Sequence, residues 1–418
     1  MSESRNPKAL FASTLNRIPF ILQIVIGLIL GIVIAAIYPN DHTILPTMGG
    51  LFVKALKSIA PILVFVLVSA AIARHEQGTK SNMRPIIAVY FVTMIAASTL
   101  ALSMSYIFPS TFPHLAAAAS DLTPPQGIAE VLTNFVNHAI DNPISALLEG
   151  NYIAILFWAI GLGLMFRTAH DNTKKVLEDL TQSVSGVVRI IIRFAPLGVM
   201  GLVYSSVTTE GGFSNLLSYL HVLCVLVGTM ILIGFVLNAA IVFFLTHENP
   251  YPLIFTCVAR SGVTAFFTRS SAANLPVNLA LCENLGLPRE TYTISIPLGC
   301  TINMSGAAVT IVIMTMAAVH TLNIDVDFFS ALLMSIAAVL CACGASGVAG
   351  GSLMLIPLAC SIFGIGNDIA MQIVGIGFII GVLQDSTETS LNSFTDVVFT
   401  AAVCKRAQRL ERKKAQKA

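Results

Sequence analysis

No lysine or arginine occurs from Pro85 to Phe166, from Phe194 to Ala259, or from Glu290 to Cys404. Runs that long without a cation demand hydrocarbon as the solvent. A soluble domain carries about 25% charged residues; this 418-residue chain carries 11%, against 56% hydrophobic. Its mean hydropathy is +0.83. The chain therefore reads as a polytopic integral membrane protein. A cytosolic enzyme and a secreted disulfide scaffold are excluded. So is a nucleic-acid partner, because a net charge of +2 provides no basic face.

The eight cysteines lie nearly all in apolar stretches, with no CxxC pair, and read as small hydrophobes. The eight histidines are scattered singly and suggest no metal centre. The polar opening MSESRNPKALFASTLNR has no small-residue cleavage site after the first apolar run, and reads as a retained cytosolic tail.

A helix needs about 20 apolar residues to cross about 30 Å of hydrocarbon. Six stretches qualify or nearly so: Ile18–Tyr38, Met48–Ala73, Pro85–Phe108, Asn151–Phe166, Val184–Val207 and Leu216–Leu245. Four more are interrupted. Pro252–Cys282 is broken by TRSSAANLP, Thr291–His320 by NMSG and Val326–Phe363 by CGASGVAGGS, while Ile369–Val403 carries acids. Basic residues cluster in the tail (Arg5, Lys8, Arg17), the second connection (Arg74, Lys80, Arg84), the fourth (Arg167, Lys174, Lys175) and the C-terminal end. The intervening connections carry acids alone. The positive-inside rule then places both termini in the cytosol. Eight crossings and two re-entrant hairpins, all helical, fit this alternation. Lys54, Lys57, Arg189 and Arg193 sit inside spans and read as snorkelling side chains without a function.

Backbone inside a bilayer must be hydrogen-bonded internally, so broken helices belong where they face protein or a watery cavity. The tips at Thr268–Asn274 and Gly344–Ser352 are each flanked by apolar arms too short to cross, and so read as helix, tip, helix. Such ends present N–H groups to an anion. Asn303-Met304-Ser305-Gly306 suits a local unwinding, which would free carbonyl oxygens for a small cation. The strongest signal is LQDSTETSLNSFTDVVF. Asp385, Thr389, Asn392 and Asp396 fall at i, i+4, i+7 and i+11, one polar stripe about 60° wide and roughly 16 Å long. Glu388 borders it. Each intramembrane acid costs on the order of 2.5–3.5 kcal/mol even on the lenient insertion scale, so this excess of carboxylate wants positive charge. Arg269, a metal cation, a proton and a substrate's amino group are the candidates. Carboxylates, amide oxygens and carbonyls suit an alkali cation. A lower cation at Asn392 and Asp396, with an ammonium at Asp385, would make a cation-coupled amino-acid site.

At these residues the chain resembles the dicarboxylate/amino acid:cation symporter family, which has the glutamate-transporter fold. The resemblance rests on TRSSAANLP, PLGCTINMSG, GASGVAGGS and the N-x-x-x-D of the last helix, and spans nearly the whole chain. It implies inverted repeats and a homotrimer in the lipid bilayer of a bacterial inner membrane. By the same resemblance, residues 1–17 form a cytosolic tail, 18–84 and 109–207 a scaffold, 85–108 and 213–246 two helices of a mobile unit, 252–405 its transport core, and 406–418 a basic cytosolic tail. The mobile unit would carry substrate as an elevator. Family roles fall on Asp385 for the substrate ammonium, Asn392 for its carboxylate, Thr389 for its side chain, and Ser270, Ser271, Val348 and Gly350 for tip contacts. One sodium ion would take Gly299, Asn303, Asn392 and Asp396; a second would take Thr301, Ala342, Cys343 and Ala345. No cofactor is implied beyond the coupling sodium.

Two departures matter. Members that carry glutamate or aspartate place an arginine where this chain has Glu388, and a glutamate there repels an acidic substrate. The chain is accordingly most similar to the branch carrying serine and threonine, and Arg269 is read as neutralising Glu388 across the tip. The family's NMDGT reads NMSGA here, with Ser305 and Ala307, and Met94 follows Tyr90 and Thr93 where a serine is usual. Those positions build a further sodium site elsewhere in the family, so fewer sodium ions per cycle are expected. The rival readings are an acidic amino acid or dicarboxylate carrier of the same fold, sodium- or proton-coupled, and an intramembrane enzyme pairing Asp385 with Asp396. A channel is a weaker fourth.

Overall fold

The computed structural model describes residues 20–39, 43–73, 83–112, 115, 140–208, 212–343 and 350–415. All regular structure among them is helical. In chain order the helices are α1 (Phe20–Ile37), α2 (Ile44–Ala73), α3 (Met83–Ile107), α4 (Pro143–Glu149), α5 (Tyr152–Phe166), α6 (Asp171–Arg193) and α7 (Ala195–Thr208). Then come α8 (Phe213–Leu232) and α9 (Asn238–Thr246), joined through a π-turn, and α10 (Tyr251–Cys257) and α11 (Val263–Thr268), joined through another. The chain continues with α12 (Ser271–Asn284), α13 (Arg289–Ile302), α14 (Ser305–Thr321), α15 (Phe328–Ala342), α16 (Ile356–Ile362) and α17 (Asn367–Ala415).

Five stretches are long and apolar enough to cross a bilayer: Ile44–Ala70, Met83–Ile107, Leu216–Thr246, Arg289–Thr321 and Asn367–Leu410. The bent pair α6–α7 makes a sixth if it is one span. The shorter helices α1 and α5 occupy the remaining two expected crossings. One boundary differs from the sequence reading. The fifth span was expected to begin at Val184, but α6 is already helical from Asp171 and meets α7 at a bend of 54°. Its buried face, Thr181, Val184, Ser185, Val188 and Ile192, keeps the helical period, while its first half, from Asp171 to Ser183, carries most of the polar and charged residues, so hydropathy alone starts the element too late.

Packing divides the helices. α1 lies on α7, and α2 lies on α5, α6 and α7. A Cβ on Gly201 of α7 would sit 2.3 Å from the Leu45 carbonyl oxygen, so only glycine allows that approach. The other group centres on α14 and α17. α14 contacts α3, α15 and α17, while α17 also touches α8, α11, α12 and α13. α14 is buried on every side except at His320, as an apolar helix at the middle of a bundle must be.

The two expected hairpins are α10–α11 returning through α12, and α15 returning through α16. In the first, Arg269 ends α11 in the left-handed conformation (φ 51°) and Ser270 caps α12 through an Ala273 N–H bond to its hydroxyl of 3.2 Å. Of the second tip, residues 344–349 lie outside the described residues. Asp327 caps α15, accepting from the N–H groups of Phe329 (2.9 Å) and Ser330 (3.0 Å) and from the Ser330 hydroxyl (2.5 Å). These donors hold its carboxyl below the usual range, the Ser330 hydroxyl most of all. A lowered pKa means the stabilisation is present above the ordinary carboxyl pKa and is lost as pH falls through the depressed one. Asp327→Ala should cost about 1 kcal/mol, and Asn at the same position much less; thermal unfolding of the detergent-solubilised protein reads this directly.

Candidate functional site

Helical period places the polar stripe of α17, and the structure turns it inward. Asp385, Glu388, Thr389, Asn392 and Asp396 are all buried, while Leu383, on another face, is half exposed. The stripe is neither a lipid-facing nor a solvated surface. α17 resumes an apolar course through Cys404 before its basic end, where Lys405 pairs with Glu248 at 3.0 Å and Arg409 donates to the Thr246 carbonyl at 2.9 Å.

Asp385 is the meeting point of both hairpins. Its Oδ2 accepts from Arg269 Nε at 2.6 Å and its Oδ1 from the Gly350 N–H at 3.2 Å. The sequence reading gave Arg269 to Glu388, and that pairing is corrected. The left-handed turn at Arg269 carries its side chain to Asp385, one turn earlier on α17. Arg269 and Asp385 are both buried, and Nη1 of Arg269 has no partner among the described residues.

Glu388 is instead held by neutral donors. Its Oε2 accepts from Thr310 (2.8 Å), Ser352 (2.8 Å) and Gln384 (2.5 Å). Thr310 belongs to α14 and Ser352 to the second hairpin. Sequence reasoning missed all three. Their signal was faint: single polar residues inside apolar stretches, or, for Gln384, an amide hidden beside the acids.

Near the C-terminal half of the stripe, α13 gives way at Asn303 and α14 begins after Met304, both in non-helical conformations, so the expected unwinding is present. Asn303 Nδ2 donates to Asp396 Oδ1 at 2.9 Å and to Thr395 at 3.0 Å, and Asn303 Oδ1 is buried without a partner among the described residues. A Cβ on Gly299 would fall 2.5 Å from Asp396 Oδ1, so the carboxylate lies directly against that glycine. Gly299, Asn303 and Asp396 are thus together, with an orphan amide oxygen beside a buried carboxylate. Asn392 sits one turn along: its Oδ1 accepts from the Gly306 N–H at 2.7 Å, while its Nδ2 meets the Met304 sulfur at 3.4 Å, a weak acceptor that leaves a donor for an anionic ligand.

Elsewhere the Cys343 thiol donates to the Ile302 carbonyl at 3.5 Å, which brings the end of α15, with Ala342, beside Thr301. Ala345 and Val348 lie outside the described residues. Ser271 is buried behind the Ser270 cap. Where a further sodium site was expected to be lost, Met94 places its sulfur 3.3 Å from the Met304 N–H, Thr93 bonds to its own helix, and the hydroxyl of Ser305 is buried without a partner.

A second network joins the first hairpin to α17. Asn274 Nδ2 donates to Ser261 (2.9 Å) and Ser393 (2.7 Å), and Asn278 Nδ2 to the Ser393 carbonyl (3.0 Å), all buried. Ser261 reaches it from the π-turn between α10 and α11. Lys57 pairs with Asp368, an exposed residue at the start of α17, across a cavity of about 940 Å³ that Lys54 also lines, a partner that hydropathy alone does not reveal.

Broken helices and paired half-spanning hairpins closing on buried carboxylates define a membrane carrier with an occluded site. The family model of the sodium:dicarboxylate symporter family matches residues 20–406, and the chain belongs to that family. It is therefore a multi-pass membrane protein and a cation-coupled symporter, not an enzyme.

Removing one member of a buried ion pair leaves the other charge uncompensated, at roughly 3–5 kcal/mol. Asp385→Ala and Arg269→Ala should each destabilise the protein by about that much, and the double variant by clearly less than their sum. Unfolding of the four proteins in one detergent measures the coupling.

Proposed function

We propose that this chain imports small neutral amino acids, L-serine and L-threonine above all, together with sodium across a bacterial inner membrane. It would work as a homotrimer whose mobile unit, residues 85–108, 213–246 and 252–405, moves like an elevator against a scaffold of residues 18–84 and 109–207, with both termini in the cytosol. The observation that carries the substrate class is Glu388. Carriers of acidic amino acids in this family hold an arginine there for the distal carboxylate. Here the position is a carboxylate whose bonds come from neutral donors, while the nearby cation, Arg269, is engaged by Asp385. A second negative charge would meet repulsion in a poorly solvated site.

In this reading the substrate ammonium takes Asp385 in exchange for Arg269 and the Gly350 N–H, so loading loosens both tips from α17. The freed guanidinium and Asn392 Nδ2 serve the substrate carboxylate, with Thr389 and the backbone of Ser270, Ser271, Val348 and Gly350 completing the contacts. One sodium would be held by Gly299, Asn303, Asn392 and Asp396, where the orphan Asn303 oxygen supplies a hard ligand. A second would take Thr301, Ala342, Cys343 and Ala345. Sulfur from Met94 in place of oxygen, and serine in place of aspartate at 305, disfavour a third.

One observation favours the rival acidic substrate: Arg269 Nη1 is buried without a partner and could receive a carboxylate. Competition separates the readings. Reconstituted in vesicles under an inward sodium gradient, the protein should accumulate labelled serine. Threonine should compete strongly, and aspartate and glutamate at least about tenfold more weakly. Asp396→Ala should remove the sodium dependence. Equal accumulation of glutamate, or full uptake with choline replacing sodium, overturns the proposal.

A further inference from the structure

The cluster around Glu388 is more elaborate than repulsion of an anion requires. Gln384 is fully buried, and its amide nitrogen bridges Thr310 (2.8 Å) and Glu388 (2.5 Å), yet its own oxygen has no partner among the described residues. Two of the donors that reach Glu388 are aliphatic hydroxyls, from Thr310 and Ser352, each at 2.8 Å. The pocket is thus already arranged to receive hydroxyl protons, and it holds one unused acceptor. Buried acceptors without donors are costly and uncommon, and an orphan amide oxygen next to such a cluster points to a donor that arrives with a ligand.

Position on the helix supplies the reach. Residues 385 and 388 stand one turn apart, with about 5–6 Å between their Cβ atoms. An amino acid whose ammonium rests on Asp385 therefore extends a one-carbon side chain toward Gln384 and Glu388. We infer that Gln384 and Glu388, oriented by Thr310 and Ser352, form a hydroxyl-selecting subsite, and that Gln384 and Thr310 set the preference for serine and threonine over alanine. This rests on the neutral amino-acid reading given above. A substrate hydroxyl donates to Gln384 Oε1 or takes the place of the Ser352 hydroxyl on Glu388. A methyl group offers neither bond and leaves the acceptors unpaired. A carboxylate brings acceptors to acceptors.

Sites built to hydrogen-bond a hydroxyl discriminate strongly against analogues that lack it. The test is the serine-to-alanine affinity ratio of the full-length protein in sodium-loaded vesicles, read by competition against labelled serine and by ligand-induced thermal shift. Gln384→Leu and Thr310→Val should each lower that ratio by about tenfold or more. Thr310→Ser, which keeps the hydroxyl, should restore it. A parallel loss of serine and alanine affinity with the ratio unchanged means a packing role and overturns the inference, as does failure of Thr310→Ser to rescue. Wild-type protein that transports serine and alanine while the variants keep the ratio sinks this subsite alone. Wild-type protein that prefers aspartate sinks both the subsite and the neutral-substrate reading.

Discussion

Three carboxylates on one face of a membrane helix, with a single arginine among them, set the terms for everything packed around α17. A charge in a low-dielectric interior is tolerated only with close partners. Each of the three meets a different solution. Asp385 has the ion pair with Arg269, Glu388 has three neutral donors, and Asp396 has Asn303 and the bare backbone of Gly299. These solutions recruit both hairpins and the broken helix to α17. The irregular backbone is therefore a consequence of the buried charge: straight helices could bring neither a tip N–H nor an unwound asparagine to a carboxylate at that depth.

The three solutions differ in how they respond to a ligand. In the function we propose, the ion pair made by the tip residue is exchangeable, since an incoming ammonium supplies the same charge as Arg269. The Asn303–Asp396 arrangement keeps a carboxylate beside an amide oxygen without a partner among the described residues, the arrangement that the proposed sodium would complete. The Glu388 cluster keeps its carboxylate on neutral donors, and the Ser261–Asn274–Asn278–Ser393 network is different again. It joins neutral groups within buried packing and offers no charge to exchange, and so fastens the first hairpin to α17 whatever occupies the site.

Much of this was legible in the residues because it is written in the helical period. The stripe from Asp385 to Asp396 needs only the angle per residue, and the break at Asn303 needs only a polar pair with a nearby glycine. Pairings across elements were not legible. Arg269 was matched to Glu388 by proximity to the tip, yet its left-handed backbone, which no local pattern dictates for an arginine, delivers it to Asp385. Lys57 reads as a snorkelling residue until α17 brings Asp368 to it from the far end of the chain. Thr310, Ser352 and Gln384 are unremarkable singly. Their common target appears only when α14, the second hairpin and α17 are assembled.

The same assembly is uneven in how tightly its parts are joined. α14 and α17 are surrounded by buried side chains, whereas the seam between α17 and α2 contains a cavity of about 940 Å³ bridged by the Lys57–Asp368 pair. That pair is substantially exposed on the Asp368 side, and exposed ion pairs contribute at most about 1 kcal/mol. Burial therefore favours keeping the carboxylate helix, the hairpins and the broken helix together, while the seam to α2 is held by this exposed pair and by apolar contacts such as Phe52 against Phe378, with ring centroids 5.1 Å apart. The elevator motion we propose follows that division, because a site whose charges are neutralised by its own neighbours can cross the bilayer only if those neighbours travel with it.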